Sequence, residues 1–169
     1  MFSRNHALIQ SIMDPAKIAK SIIKNNIYLT LCTTDQKKPW ASPLFYAETK
    51  DYQFYFISDK NSLHAHNIAK NPQVSVAIFN STTQPAEVNG VQMEATAQMV
   101  TLKEIPQAIK TYFSKSGSST VKTRFSNWKD PLSYLKLTTF RFYKIIPEKV
   151  YILNPNITKN DIRLKVEFT

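Results

Sequence analysis

The segment "GVQMEATAQMVTL" (residues 90–102) most constrains what this chain can become. Val91, Met93, Ala95, Ala97 and Met99 fall on one face, and Gln92, Glu94, Thr96 and Gln98 on the other. A period of two is the signature of a half-buried strand. Runs rich in β-branched and aromatic residues recur at 27–34 ("IYLTLCTT"), 40–48 ("WASPLFYAE"), 52–58 ("YQFYFIS") and 74–80 ("VSVAIFN"). Pro43 has no N–H to give a ladder, which favours an edge or bulged position. Farther on, "LKLTTFRFYKII" (135–146), Pro147-Glu148-Lys149 and "VYIL" (150–153) read as a hairpin.

Helices punctuate these strands. Asp14-Pro15 reads as an N-cap followed by proline at the first helical position, and Ile18, Ala19, Ile22 and Ile23 repeat at helical spacing over 15–25. A second helix is expected from Ser62. A third covers Glu104–Ser116 with Ile105, Ala108, Ile109, Tyr112 and Phe113 as its stripe, and a short one covers Val121–Asn127. Seven strands joined mostly by short turns predict a mainly β (α+β), antiparallel sheet able to close into a small barrel with helices outside. No break in composition divides residues 1–169, so a single domain is expected.

Composition removes several function classes. With 2 glycines among 169 residues, neither GxGxxG nor GxxxxGK[ST] occurs. A net charge of +10 favours anionic ligands. The basic residues are scattered, however, and the aromatics follow strand patterns suited to a core, which argues against a nucleic-acid binder. The one cysteine, Cys32, excludes an internal disulfide and reads as a small buried hydrophobe. The N-terminus lacks the apolar core of a signal peptide and no stretch reaches membrane-spanning length, so a cytoplasmic protein is expected.

The stretch "SDKNSLHAHNIAKNP" (58–72) separates two strands and carries the densest polar chemistry. His64 and His66 stand two apart, a poor spacing for two metal ligands on a helix, so no metal site is expected. Two readings remain. In one, a capped connector helix packs Ala65, Ile68 and Ala69 inward and leaves the histidines in water. In the other, the helix start at Ser62 offers backbone N–H groups to an anion, joined by the Ser62 hydroxyl, His64 and Lys60. Local pattern alone does not choose between them.

"KKPWASPLFYAETKDYQFYFISDKNSLHAHNIAKNPQVSVAIFN" followed by "GVQMEATAQMV" resembles the FMN-binding split-barrel proteins related to pyridoxamine 5'-phosphate oxidase, especially small bacterial members of unassigned substrate. The ordered likeness covers about residues 16–102 and continues more weakly to 153. It implies an antiparallel split β-barrel acting as a homodimer, with FMN at the subunit interface and a small-molecule redox substrate. By this resemblance Ser58, Ser62 and His64 hold the FMN phosphate and Asn67 matches the helix asparagine. Trp40, Ala41, Ser42 and Pro43 lie along the isoalloxazine ring, Phe56 and Ile57 lead into the phosphate turn, and Gln92 reaches the flavin. Leu63 stands where many relatives carry arginine, which leaves Lys60 as the nearest cation in sequence to replace it. The arginine-and-histidine signature that grips substrate in true pyridoxamine phosphate oxidases is absent.

The expected function is therefore flavin-mediated hydride or electron transfer, with a non-catalytic flavin carrier as the alternative. No side chain stands out as a catalytic acid or base. Glu94 reads as a solvated or paired carboxylate and Trp128 as core or interface. The residues do not by themselves separate FMN from a deazaflavin or haem.

Overall fold

The computed structural model describes residues 14–84, 89–115, 138–153 and 163–168. Its elements are α1 (Pro15–Asn25), β1 (Tyr28–Thr34), β2 (Pro39–Phe45), β3 (Ala47–Glu48) and β4 (Phe54–Asp59), then α2 (Leu63–Lys70), β5 (Gln73–Phe79), β6 (Gly90–Met99), α3 (Ile105–Ser114), β7 (Phe140–Leu153) and β8 (Arg163–Val166). Every strand pairing is antiparallel. The expected helix at 121–127 and Trp128 lie outside the described residues.

The strands run in the order β2-β1-β5-β6-β7-β4-β3, with β8 added beside β7. β2 and β3 are the two ends of that path, yet in the chain only Tyr46 separates them. The sheet therefore curls until its ends meet at one residue, which makes it an antiparallel split barrel. The run at 40–48 is accordingly two strands rather than one, because the chain changes partners from β1 to β4 at Tyr46.

Burial accounts for the curl. The inner face carries Leu29, Leu31, Phe54, Phe56, Val76, Ile78, Val91, Met93 and Ile145, closed by Ala19 and Ile23 of α1 and by Ala65 and Ile68 of α2. Each large side chain taken fully out of water contributes about 1.5–3 kcal/mol. A second cluster lies on the outer face, where Ile105, Ala108 and Tyr112 of α3 cover Ala47, Tyr55 and Phe142. The alternation in β6 holds for Val91, Met93, Ala95 and Ala97, all buried, but the strand ends at Met99, which is exposed.

The expected hairpin at 135–153 is instead one 14-residue strand over Phe140–Leu153, with residues 135–137 outside the described ones. Pro147-Glu148-Lys149 looks locally like a turn, but β6 supplies a partner along almost its whole length. The ladder slips between Glu94 and Ala95, which face Lys149 and Pro147, leaving Glu148 as the extra residue of a bulge. The bulge accommodates a proline that cannot donate, and the strand bends instead of reversing.

Tyr46 is fully buried, and its hydroxyl donates to the carbonyl of Ile23 in the last turn of α1 at 2.6 Å. Lys115 donates to the same carbonyl at 2.9 Å and to Glu48 Oε2 at 2.6 Å, and its ammonium lies 4.4 Å from the Tyr46 ring centre. Burial lowers the Lys115 pKa and the Glu48 contact opposes that shift. Removing one partner of such a pair strands the other's charge. Lys115→Met is expected to destabilise the fold by about 3 kcal/mol, while Glu48→Leu combined with Lys115→Met recovers most of the loss. Urea denaturation followed by circular dichroism measures both; equal losses in the single and double variants would contradict this account.

Candidate functional site

The turn between β4 and α2 is built by its own polar side chains. Asp59 Oδ1 accepts from the Asn61 N–H at 2.8 Å, and the Ser62 N–H donates to the Asp59 carbonyl at 3.0 Å. The start of β7 fastens this turn from outside. Thr139 Oγ1 donates to Asp59 Oδ2 at 2.6 Å, and the Lys60 N–H donates to the Thr139 carbonyl at 2.9 Å. The Thr139 bond, followed by that from Asn61, holds the Asp59 carboxyl below its ordinary pKa. Ser62, in extended conformation, then caps α2, its Oγ accepting from the Ala65 N–H at 3.4 Å.

His64 is the centre of the cluster. Its Nδ1 is 3.1 Å from Ser42 Oγ of β2, and its Nε2 is 2.7 Å from Ser58 Oγ of β4 and 3.1 Å from Ser62 Oγ. The two latter hydroxyls are 3.2 Å apart. One imidazole thus ties together two strands and a helix start. Burial lowers its pKa, so it is held neutral with one N–H. Hydrogen counting then matters. With the proton on Nδ1, Ser58 and Ser62 can spend both hydroxyl hydrogens on Nε2 and on each other. With the proton on Nε2 and Ser42 donating to Nδ1, one hydroxyl hydrogen of that pair has no acceptor inside the cluster and can turn to an incoming anion.

The structure brings together Ser42, Ser58, Ser62 and His64, with the Phe56 ring edge-on to His64 at 6.1 Å. Asn67 is buried beside them and donates to Thr33 Oγ1 of β1 at 3.1 Å, a partner that sequence reading missed. The connector reading, with both histidines in water and Ala69 packed inward, is corrected: His64 is buried, as is Asn67, whereas His66 and Ala69 are exposed. α2 packs against β1, β2 and β6, so its polar as well as its apolar contacts meet protein.

Other expected residues lie apart. Trp40 shares the inner parity of β2 with Ser42 and faces Thr33 across the ladder, but it is 48% exposed. Ala41 and Pro43 point to the opposite, outer face and are exposed. Ile57 points outward to the α3 cluster, and Lys60 is exposed on the turn. Gln92 is exposed on the outer face, in a cross-strand row of Pro43, Thr30, Ala77, Gln92 and Tyr151. One chain therefore does not bring Gln92 to His64. Cys32 is part-exposed on that same outer face, not buried. Glu94 is paired with Lys149 at 2.7 Å.

Arg141 was not legible as a site residue. It stands directly opposite Ser58 in the β4–β7 ladder. Tyr143 and Ile145, two and four residues on, belong to the inner cluster, so Arg141 has inner parity too. A pocket of about 510 Å³ beside Lys24, Glu48 and Lys115, and another of about 250 Å³ between residues 51–53, 146–148, Val150 and 165–168, include no residue of the His64 cluster.

Residues 16–151 match the family described as pyridoxamine 5'-phosphate oxidase. The UPF0306 protein PM1958 of Pasteurella multocida is 24% identical over 116 residues, which are 68% of this chain and 77% of that protein. A heme binding protein from Mycobacterium smegmatis has a similar fold, with a TM-score of 0.68 at 16% identity over 91% of this chain and 58% of that one. So does a FAD-binding protein from Mesorhizobium loti, with a TM-score of 0.60 at 19% identity over 81% and 92% of the two chains.

Because the folded pKa of His64 lies below the ordinary 6.5, the unfolded chain binds the extra proton first as pH falls. The stability tied to neutral His64 is therefore complete above that value and declines as pH drops below it. Between pH 7.5 and 5, urea midpoints of the wild type should fall relative to those of His64→Gln, which has no imidazole to protonate. Parallel curves for the two proteins would show that His64 is not held neutral.

Proposed function

The chain belongs to the pyridoxamine 5'-phosphate oxidase family, and from that membership we propose that it binds FMN and serves flavin-mediated redox chemistry on a small substrate. The observation that carries this reading is the Ser58–Ser62–His64 cluster at the first turn of α2. Serine hydroxyls converge there with backbone N–H groups and a positive helix end. The residues fit a phosphate. One hydroxyl of the Ser58–Ser62 pair donates to it, His64 sets which hydroxyl hydrogen turns outward, and Ser42 fixes the imidazole through its other nitrogen.

The ring portion belongs along β2. That strand ends the sheet path, so the edge away from β1 has no partner strand among the described residues and offers backbone groups to a planar ligand. Trp40 flanks this edge. Bound there, the flavin supplies hydride or electron transfer, while the protein supplies position and electrostatics. The outward direction of Gln92, Ala41 and Pro43 supports a site completed by a second copy, whose outer sheet face carries the same residues.

Haem is the competing ligand, given the heme binding protein of similar fold. Iron needs a ligand atom with a free lone pair, and both ring nitrogens of His64 lie against serine hydroxyls. His66 is exposed on the other side of α2. This favours flavin. No described side chain beside the cluster has the position of a general acid or base, so a flavin carrier without turnover remains the second form of the same reading.

Titration of the purified protein with FMN, read by quenching of flavin fluorescence, tests the proposal, with haemin titrated in parallel by its Soret band. Saturable quenching is expected, and Ser62→Ala should weaken it about tenfold through loss of one phosphate hydrogen bond and the helix cap. A Soret shift without flavin quenching would overturn it. Bleaching of the bound flavin by a nicotinamide cofactor would separate enzyme from carrier.

A further inference from the structure

We propose that Arg141 is the cation that grips the ligand's phosphate, replacing at a different place in the fold the charge that Leu63 does not supply. The inference rests on the flavin reading above and specifies which residue gives that site its preference for a phosphorylated flavin.

Ser58 and Arg141 are directly paired across β4 and β7, so their Cβ atoms lie about 5 Å apart on the same face. That face is the inner one: Phe56 and Tyr143, the next pair along, stack with ring centres 5.1 Å apart, and Phe56 lies edge-on to His64. The arginine thus emerges next to the hydroxyl that stands 2.7 Å from His64 Nε2. Its Nη1 donates to the carbonyls of Thr138 and Phe140, both at 2.7 Å, which holds the guanidinium at the entry to β7. The same entry is fastened to the 59–62 turn by Thr139. Turn, serine pair and guanidinium are therefore one mechanical unit.

Charges nearby fit this role. Among the described residues the carboxylate beside the unit is Asp59, which already accepts from Thr139 and Asn61, and the nearby charges of Lys60 and then Arg141 also favour its ionised form. Leu63 is half-exposed at the first position of α2 and carries no charge. Lys60 is the rival cation, but it is exposed on the turn, where solvent screens its attraction. Arg141 is part-buried, and its guanidinium keeps its charge throughout the accessible pH range, which makes it the better phosphate partner.

The test is a pair of titrations, FMN and riboflavin, which differ only by the phosphate, on the full chain stripped of small molecules. Arg141→Met is expected to weaken FMN binding about 10- to 100-fold while leaving riboflavin affinity unchanged. Arg141→Lys should lie between the two, and Lys60→Met should bind FMN as the wild type does. The salt dependence of FMN binding should also become shallower in Arg141→Met. Circular dichroism and thermal melting identify a folding defect, and Arg141→Lys, which keeps the charge, provides the comparison if Arg141→Met is unfolded. Equal loss of FMN and riboflavin in a folded Arg141 variant, or loss carried by Lys60→Met instead, would overturn the assignment. If the wild type binds both flavins equally, Arg141 has no phosphate role although the flavin reading stands; if it binds neither, both fall.

Discussion

The barrel depends on what happens at Tyr46. Here the chain leaves one end of the sheet and joins the other, so the closure rests on a single buried residue. Its phenol is spent on the Ile23 carbonyl, an acceptor that the end of α1 would otherwise leave short of partners. Lys115 reaches the same carbonyl from the end of α3 and brings Glu48 of β3 with it. Two helix ends and the junction of two strands are thus locked by one small polar network inside apolar surroundings. Such a network is costly if any member lacks its partner, which is what makes the closure specific rather than merely compact.

Closure also creates the candidate site. β2 and β4 approach each other only because the sheet curls, and Ser42 and Ser58 come from those two strands. His64 spans the gap between them through its two ring nitrogens. The histidine is therefore both a structural pin and a setting for the hydroxyls around it. The roles do not conflict, since a neutral imidazole has one donor and one acceptor whichever tautomer it adopts. What a ligand can change is the direction of the serine hydrogens, at little cost to the barrel.

Much of this was legible in the sequence, and the failures have physical causes. Period-two burial in β6, the Asp14-Pro15 start of α1 and the Ser62 cap are local signals, and each appears where local chemistry puts it. The hairpin at 135–153 failed because a turn-like tripeptide was overruled by a long-range partner, β6, that could absorb it as a bulge. His64 and Asn67 could not be given their partners, because helical spacing says which residues share a side, not what that side meets. Their partners, Ser42 and Thr33, are 22 and 34 residues away. Arg141 lies 83 residues beyond Ser58 in sequence, and only the strand register brings the two together.

The alternation that makes strands readable also divides a site carried on a strand. In β2, Trp40 and Ser42 face inward while Ala41 and Pro43 face outward, so a contiguous motif supplies two different surfaces. Of the inner set, Ser42 joins the His64 cluster. From Pro43 a row continues through Thr30 and Ala77 to Gln92, all uncharged, on a protein whose net charge is +10, while Ala41 leads through Cys32 and Ser75 to Glu94. An uncharged row lowers the local electrostatic cost of bringing another surface against that face. On the proposed reading, a motif split between two faces would serve a ligand shared by two copies, the inner face of one chain holding the anion and the outer face of its neighbour meeting the ring.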